Sequence, residues 1–322
     1  MPEASYYQDG DTLDYTPAAA LSSGQVIQVP DGRAAMAVGD IAAGVQGAVQ
    51  VSGVFQKVAK TAGFVALRGG KAYWDYSANK VYYKKVNDQD FYIGRFMSDA
   101  ASADTECYVV ANIDPPADID INRDPCNTVL VGTPAALAVS FNYARRIGGS
   151  HLAYLSATSE AQKWDLMSVN GFSKNANAIV EFAFRVPVGG SGSASDYSIG
   201  VANATHATDA DSITQHLFVH LDGGSTNINL QSKDGTTTVT ATDTTIDFVA
   251  GTAITSQHEV WMDMRDPADV QVYIDGSLVL PSTVFNIDAA TTLYLLAHME
   301  KTTGTETADL IIDWMRARFM DQ

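Results

Sequence analysis

The chain has 322 residues, 46% of them hydrophobic, 18% charged and 9% aromatic, with a formal net charge of −17. A chain this apolar and this sparsely charged can bury a core, which excludes global disorder. So negative a charge argues against general binding to nucleic acid or to an anionic membrane, because phosphates call for Lys and Arg. The length suggests about two domains.

In chain order, residues 1–20 read as a polar, tyrosine-rich arm. Tyr6, Tyr7 and Tyr15 lie among Asp9, Asp11 and Asp14. Such an arm is either a frayed terminus or a segment that docks on a neighbouring subunit, since tyrosine suits interfaces. Its polar, acidic start does not match a secretory signal. A helical turn is expected around Ala18–Leu21. Residues 21–113 then read as short strands cut by turns: 25–29, 34–38, 47–55, 71–75, 80–83, 91–96 and 107–111. Pro30-Asp31-Gly32 and Gly39-Asp40 are turns with a mechanism, one fixing φ and the others tolerating unusual values. Regular spacing with β-branched and aromatic enrichment predicts a small β-barrel or β-sandwich. Residues 114–125 are rich in Pro and Asp and read as a linker, because proline removes ladder donors.

Residues 126–322 are again strand-like. Candidate strands are 178–186, 197–201, 217–221, 227–231, 237–241, 259–264, 269–274, 278–280, 292–297 and 310–316. Val270, Val272 and Ile274 alternate with Gln271, Tyr273 and Asp275, the pattern of a sheet with one packed face. Asp275-Gly276 then predicts a tight hairpin. Ten such strands predict an all-β, two-sheet sandwich. The charge divides along the same boundary. Residues 1–113 hold 9 basic and 12 acidic side chains, a net −3; residues 114–322 hold 11 and 25, a net −14.

Two resemblances follow from these residues. The opening Tyr7-Gln8-Asp9-Gly10-Asp11-Thr12-Leu13-Asp14-Tyr15-Thr16-Pro17 resembles the start of a tailed-phage capsid decoration, or cement, protein family. The likeness continues through Ile41-Ala42-Ala43-Gly44, Val51-Ser52-Gly53-Val54-Phe55, Tyr73-Trp74-Asp75 and Ile93-Gly94-Arg95. It implies a small β domain that docks on the outside of a phage head and bridges major capsid subunits. It implies no catalytic residues, a homotrimer by analogy with other cement proteins, and a place on the virion exterior after synthesis in the host cytoplasm. Val270 to Val279, with Val260-Trp261-Met262-Asp263 and the closing 308–316 strand, resembles the hairpin and closing strands of concanavalin-like, laminin-G-like jelly rolls. That resemblance speaks to fold more than to function.

Jelly rolls of this kind include glycan hydrolases, so the sequence was tested for their chemistry. A retaining glycosidase needs two carboxylates about 5–5.5 Å apart, which favours acidic residues at i and i+2 on one strand. Glu160, Glu181, Glu259, Glu300 and Glu306 are followed two residues on by Gln162, Ala183, Trp261, Thr302 and Ala308. None is acidic, although a pair split between strands stays open. His216 and His220 share a strand face but lie about 13 Å apart, too far for one zinc. His206, His258 and His298 lack partners at metal spacing. Asp209, Asp211 and Asp222 in loops offer oxygen ligands for Ca²⁺, or are solvated acidic loops. No nucleophile elbow or phosphate loop is present. Gly189–Ser193 reads as a hairpin tip. Arg145-Arg146 reads as a surface or subunit contact. Trp164, Trp261 and Trp314 are either core or sugar-stacking platforms, with Trp261 and Trp314 the candidate contacts for a host surface glycan. Cys107 and Cys126 are too few for a disulfide scaffold and are expected to be free. The expected protein is a non-enzymatic virion protein, with a carbohydrate-binding module as the alternative and a glycan hydrolase third.

Overall fold

Short apolar runs separated by Gly, Asp and Asn turns pair most readily with their neighbours, in antiparallel ladders. The computed structural model bears this out and divides the chain into two units, Met1–Pro115 and Pro116–Gln322. The structure describes residues 10–87, 89–113, 117–132, 137–142, 150–155, 160–187, 195–207, 209–222, 225–248, 251, 256–302 and 307–319. All named strand pairs among them are antiparallel.

The first unit begins with β1 (Thr12–Tyr15), β2 (Val26–Gln28), β3 (Ala34–Ala37) and β4 (Gly47–Gln50), ordered β1-β4-β3-β2. Of the arm expected over 1–20, residues 1–9 lie outside the described residues, and from Thr12 on strand β1 corrects it. Leu13 pairs with Val49, and Leu13 and Tyr15 pack on a core of Val29, Ala35, Ala37, Ile41, Val49 and Val51. The expected helical turn at Ala18–Leu21 is also absent. Leu21 instead exchanges backbone hydrogen bonds with Ile41, at 2.8 and 2.9 Å. Leu21 joins the same core, and one turn of helix would not seat it there.

Next come β5 (Val54–Ala59), β6 (Lys71–Asp75), β7 (Lys80–Tyr82), β8 (Phe91–Phe96) and β9 (Glu106–Ala111), ordered β5-β9-β8-β6-β7. The end of β5 meets β7 through a bridge between Lys60 and Val81, so this sheet closes on itself around Phe55, Phe64, Trp74, Ile93, Phe96 and Val109. Gly94 fits where a side chain would not. Its φ is +148°, and a Cβ there would lie 1.9 Å from the Val110 carbonyl oxygen. Lys60 is buried at the closure. Its ammonium donates to the carbonyls of Thr61, Ala101 and Asp104 and sits 4.1 Å from the Phe64 ring centroid. Burial pushes its pKa down, against smaller opposing effects of Cys107 and Asp104.

Asn112 ties the sheet to the barrel. Its backbone is left-handed, and its amide brackets Ala34, accepting from the N–H at 2.9 Å and donating to the C=O at 2.8 Å. The same amide donates to the Val51 carbonyl at 2.6 Å.

The second unit contains β10 (Ile119–Asp120), β11 (Cys126–Val131), β12 (Leu137–Asn142), β13 (Ser150–Leu155), β14 (Gln162–Ser168), β15 (Phe172–Ser173), β16 (Ala178–Arg185) and β17 (Ser195–Ala202). It continues with β18 (His216–Leu221), β19 (Asn227–Lys233), β20 (Thr238–Asp247), β21 (His258–Met264), β22 (Gln271–Ile274), β23 (Ser277–Leu278), β24 (Thr292–Lys301) and β25 (Ala308–Phe319). One sheet runs β12-β13-β25-β16-β21-β22-β23 and the other β11-β14-β24-β17-β18-β19-β20. The chain passes several times from one sheet to the other, and alternate residues of both sheets share one core that includes Phe182, Phe184, Ile199, Val219, Val260, Leu295, Leu310 and Ile312. This is a jelly-roll sandwich. The Asp275-Gly276 hairpin forms as expected, with both residues at positive φ.

The linker expected at 114–125 is shortened. Ile119 and Ile121 are buried in the sandwich core, Ile119–Asp120 pairs with β25, and Asn122 donates to the Asp313 carbonyl. The alternation Ile119, Asp120, Ile121, Asn122 is that of a strand, hidden by the surrounding Pro and Asp. Residues 114–116 lie outside the described residues.

Candidate functional site

In β14, Trp164 and Leu166 enter the core, so Lys163 and Asp165 face outward. In β24, Leu295, Ala297 and Met299 enter it, so His298 and Glu300 face outward. In β17 and β18 the same parity turns Asp196, Ser198 and His220 outward. Strand register lines these groups up. Asp165, His298, Ser198 and His220 form one row across four strands, and Lys163, Glu300 and Asp196 form the next. This outer face is polar but covered. Asp165, Ser198, His220 and His298 are buried.

Each group in the row has a partner. His298 Nδ1 lies 2.6 Å from Asp165 Oδ1, and His298 Nε2 lies 3.0 Å from Glu300 Oε2. Burial by itself would push the His298 pKa down. The hydrogen bonds and charges of Asp165 and Glu300 together outweigh it, so the imidazole holds its proton above the ordinary histidine range. Lys163 sits 2.7 Å from Asp165 Oδ2 and also donates to the His206 carbonyl. Ser198 Oγ is 3.1 Å from His220 Nδ1. A 3-10 turn, Ala210–Ser212, lies over this face. Its Ala210 and Ile213 pack with Phe218, Ala202 and Leu296. Asp209 caps the turn by accepting from the Asp211 N–H, and Asp211 accepts from Gln231.

Between the turn and the sheet is a small cavity of about 10 Å³, room for about one water molecule, lined in part by Asp196, Ser198, Asp209, His220, His298 and Glu300. Asp196 and Glu300 stand directly opposite on neighbouring strands, so their Cβ atoms are about 4.5–5.5 Å apart. The row can therefore hold a proton on His298, and the space beside it takes a water molecule rather than a sugar ring. Among the described residues no group of three or more His, Cys, Asp and Glu side chains could hold a metal ion. Of the aspartates offered for Ca²⁺, Asp209 and Asp211 share the capped turn, while Asp222 is exposed after β18.

The outer face of the other sheet carries a second network. Glu181 meets Arg318 at 3.2 Å and also pairs with Arg316, and all three are buried. Asp313 pairs with Arg185 and accepts from Gln257 at 2.6 Å. The two tryptophans considered as sugar platforms lie here. Trp261, opposite Glu181, is 3% exposed and offers no open ring face. Trp314 is half-buried, with the Arg316 guanidinium 4.7 Å over its ring. Trp164 lies in the sandwich core.

The remaining site expectations are placed as follows. Tyr15 is half-buried on its own core. Tyr6, Tyr7, Arg145, Arg146 and the Gly189–Ser193 tip lie outside the described residues. Cys107 and Cys126 are free thiols, pushed up to about 12 and about 11 by burial. His216 is buried, stacks on Phe218 and bonds the Ile213 carbonyl; burial pushes it down to about 4. His258 meets Asp275 at 2.8 Å.

The row through Asp165, Ser198, His298 and Glu300 was missed because spacing was tested within strands. A sign of it was present, since Lys163 and Asp165 flank Trp164, and His298 and Glu300 flank Met299.

Residues 7–111 match the model of a family described as phage cement protein. No curated protein sequence matches the chain closely. Solved structures similar to it include the Emp46p carbohydrate recognition domain, at 11% identity and a TM-score of 0.39, covering 56% of this chain and 86% of that one. A Bacteroides ovatus family 16 mixed-linkage glucan enzyme matches at 10% identity and 0.39, over 60% and 94%. A carbohydrate esterase of the Shiga toxin-encoding bacteriophage phi24B matches at 13% and 0.38, over 60% and 90%. At these scores the likenesses add nothing to the sheet topology.

Proposed function

We propose that this chain is a structural protein of a tailed-phage virion, which decorates the capsid exterior and stabilises it by bridging neighbouring major capsid subunits. The observation that carries this reading is the family match over residues 7–111. Charge supports the orientation. Residues 1–113, at −3, can lie on a shell with little charge to neutralise, while residues 114–322, at −14, suit a solvent-facing outer layer that keeps particles apart. Surface buried across subunit junctions must be exposed again before a shell bursts, so binding raises shell stability. This role requires no catalytic step. The test is to heat particles with and without the protein. Lower rupture temperature without it is expected; unchanged head stability and composition would reject the cementing role.

A second reading is a glycan-binding sandwich carried on the virion. The half-buried carboxylates of Asp196 and Glu300, side by side at the rim of the row, favour it, because sugar hydroxyls donate to such acceptors. Binding on a glycan array that is lost in Glu300→Gln would support it. Absence of binding to host surface polysaccharide would remove it.

A further inference from the structure

The sandwich has four sheet edges, and they are treated differently. An exposed edge presents unpaired N–H and C=O groups and templates another strand unless it is shortened, bulged or charged. Edge β23 has two residues. Edge β20 carries Asp243 and Asp247, breaks register with β19 twice, and holds Thr245 at a φ of +62°. Both are guarded. On the opposite side, β11 and β12 end the two sheets. Their sequences, Cys-Asn-Thr-Val-Leu-Val and Leu-Ala-Val-Ser-Phe-Asn, contain no charged residue and no proline.

Strand β11 is the end strand of its sheet. Among the described strands it pairs only with β14. Val129, Leu130 and Val131 are 37%, 45% and 44% exposed, although adjacent residues point to opposite faces. An apolar strand open on both faces and along one edge is a docking strand.

We infer that β11 is a self-association edge, and that a second copy of this chain pairs its own β11 antiparallel against it, continuing the sheet across a two-fold axis. The occupant follows from charge. Residues 114–322 carry −14, so two copies repel wherever carboxylates face each other. They approach at least cost along a strand without charged side chains. Such a strand has no charge with which to select a basic or acidic partner; it offers backbone hydrogen bonds and Val/Leu surface. A second copy supplies both in matching form, and antiparallel pairing of a strand with itself closes after two subunits. The trimer implied by the family resemblance would need a different contact.

The experiment is sedimentation of the full chain at tens of micromolar. The expected mass is twice 34.4 kDa. Val129→Lys combined with Val131→Lys should restore the monomer, with unchanged far-UV circular dichroism. Val284→Lys, at another exposed apolar position of the sandwich, should leave the dimer intact. A monomeric wild type would overturn the inference, and so would a dimer or trimer that keeps its mass in the double-lysine variant. If that variant fails to fold, hydrogen exchange of the wild type decides. Amides of 126–131 should gain protection with rising concentration while those of β20 do not, and no gain would overturn the inference.

Discussion

The two units bury their polar groups in different ways. In the first, the buried cation Lys60 is held by three carbonyls and an aromatic ring, with no carboxylate bonded to its ammonium. In the second, buried charges are paired with opposite charges on both outer faces, as Glu181 with Arg316 and Arg318, and Asp165 with Lys163 and His298. A carbonyl-capped ammonium leaves neutral dipoles behind when it is removed. A carboxylate shared by two guanidiniums leaves two buried charges behind. The difference teaches that the acidity of residues 114–322 is not all surface: part of it is structural, neutralised within the sheet.

Four experiments sharpen or break that comparison. The largest effect is expected from separating the units. Deleting residues 1–115 should abolish particle binding, measured by co-sedimentation with heads, while deleting 116–322 should preserve it; the reverse result would invert the assignment of roles. Next, Glu181→Ala should cost about 3–5 kcal/mol in urea unfolding of the second unit, because two buried guanidiniums lose their counter-charge. Lys60→Met should cost the first unit less, about 1–3 kcal/mol, the scale of unsatisfied neutral acceptors. Equal losses would erase the distinction.

The smallest effect is on pH dependence. His298 has a raised pKa in the folded state, so its contribution is complete below the ordinary histidine value and lost as pH rises through the raised one. His216, pushed down to about 4, acts oppositely. It opposes folding as pH falls from about 6.5 toward that value. Stability of the second unit should therefore fall on both sides of a maximum. His298→Asn should flatten the alkaline limb and His216→Asn the acid limb, read from denaturation midpoints across pH.

Much of the fold was legible because period-2 alternation is local. The ten strands read from 178 to 316 all fall on β16 to β25, and the Asp275-Gly276 turn forms where its residues demand it. Strands β10 to β15 were not read. Ile119 and Ile121 hide among Pro and Asp, and β11 shows no alternation because it is an open edge. Strand β1 was taken for an arm since only Leu13 and Tyr15 carry its apolar face. The site was less legible for a different reason. Asp165 and His298 are 133 residues apart and meet only through the β14–β24 register, which no spacing along one strand encodes. Trp261 was read as open between two roles because burial of an outward residue depends on what covers it.

Val51 has a consequence for how the first unit can be used. Its N–H donates to the Asp11 carbonyl, and its own carbonyl accepts from Asn112. Residues 11 and 112, near the two ends of the described part of this unit, therefore meet at one residue. A fold whose ends lie close together tolerates being joined to another fold without stretching. Exchanging the jelly roll for another domain should therefore leave the strand pairing of the first unit intact.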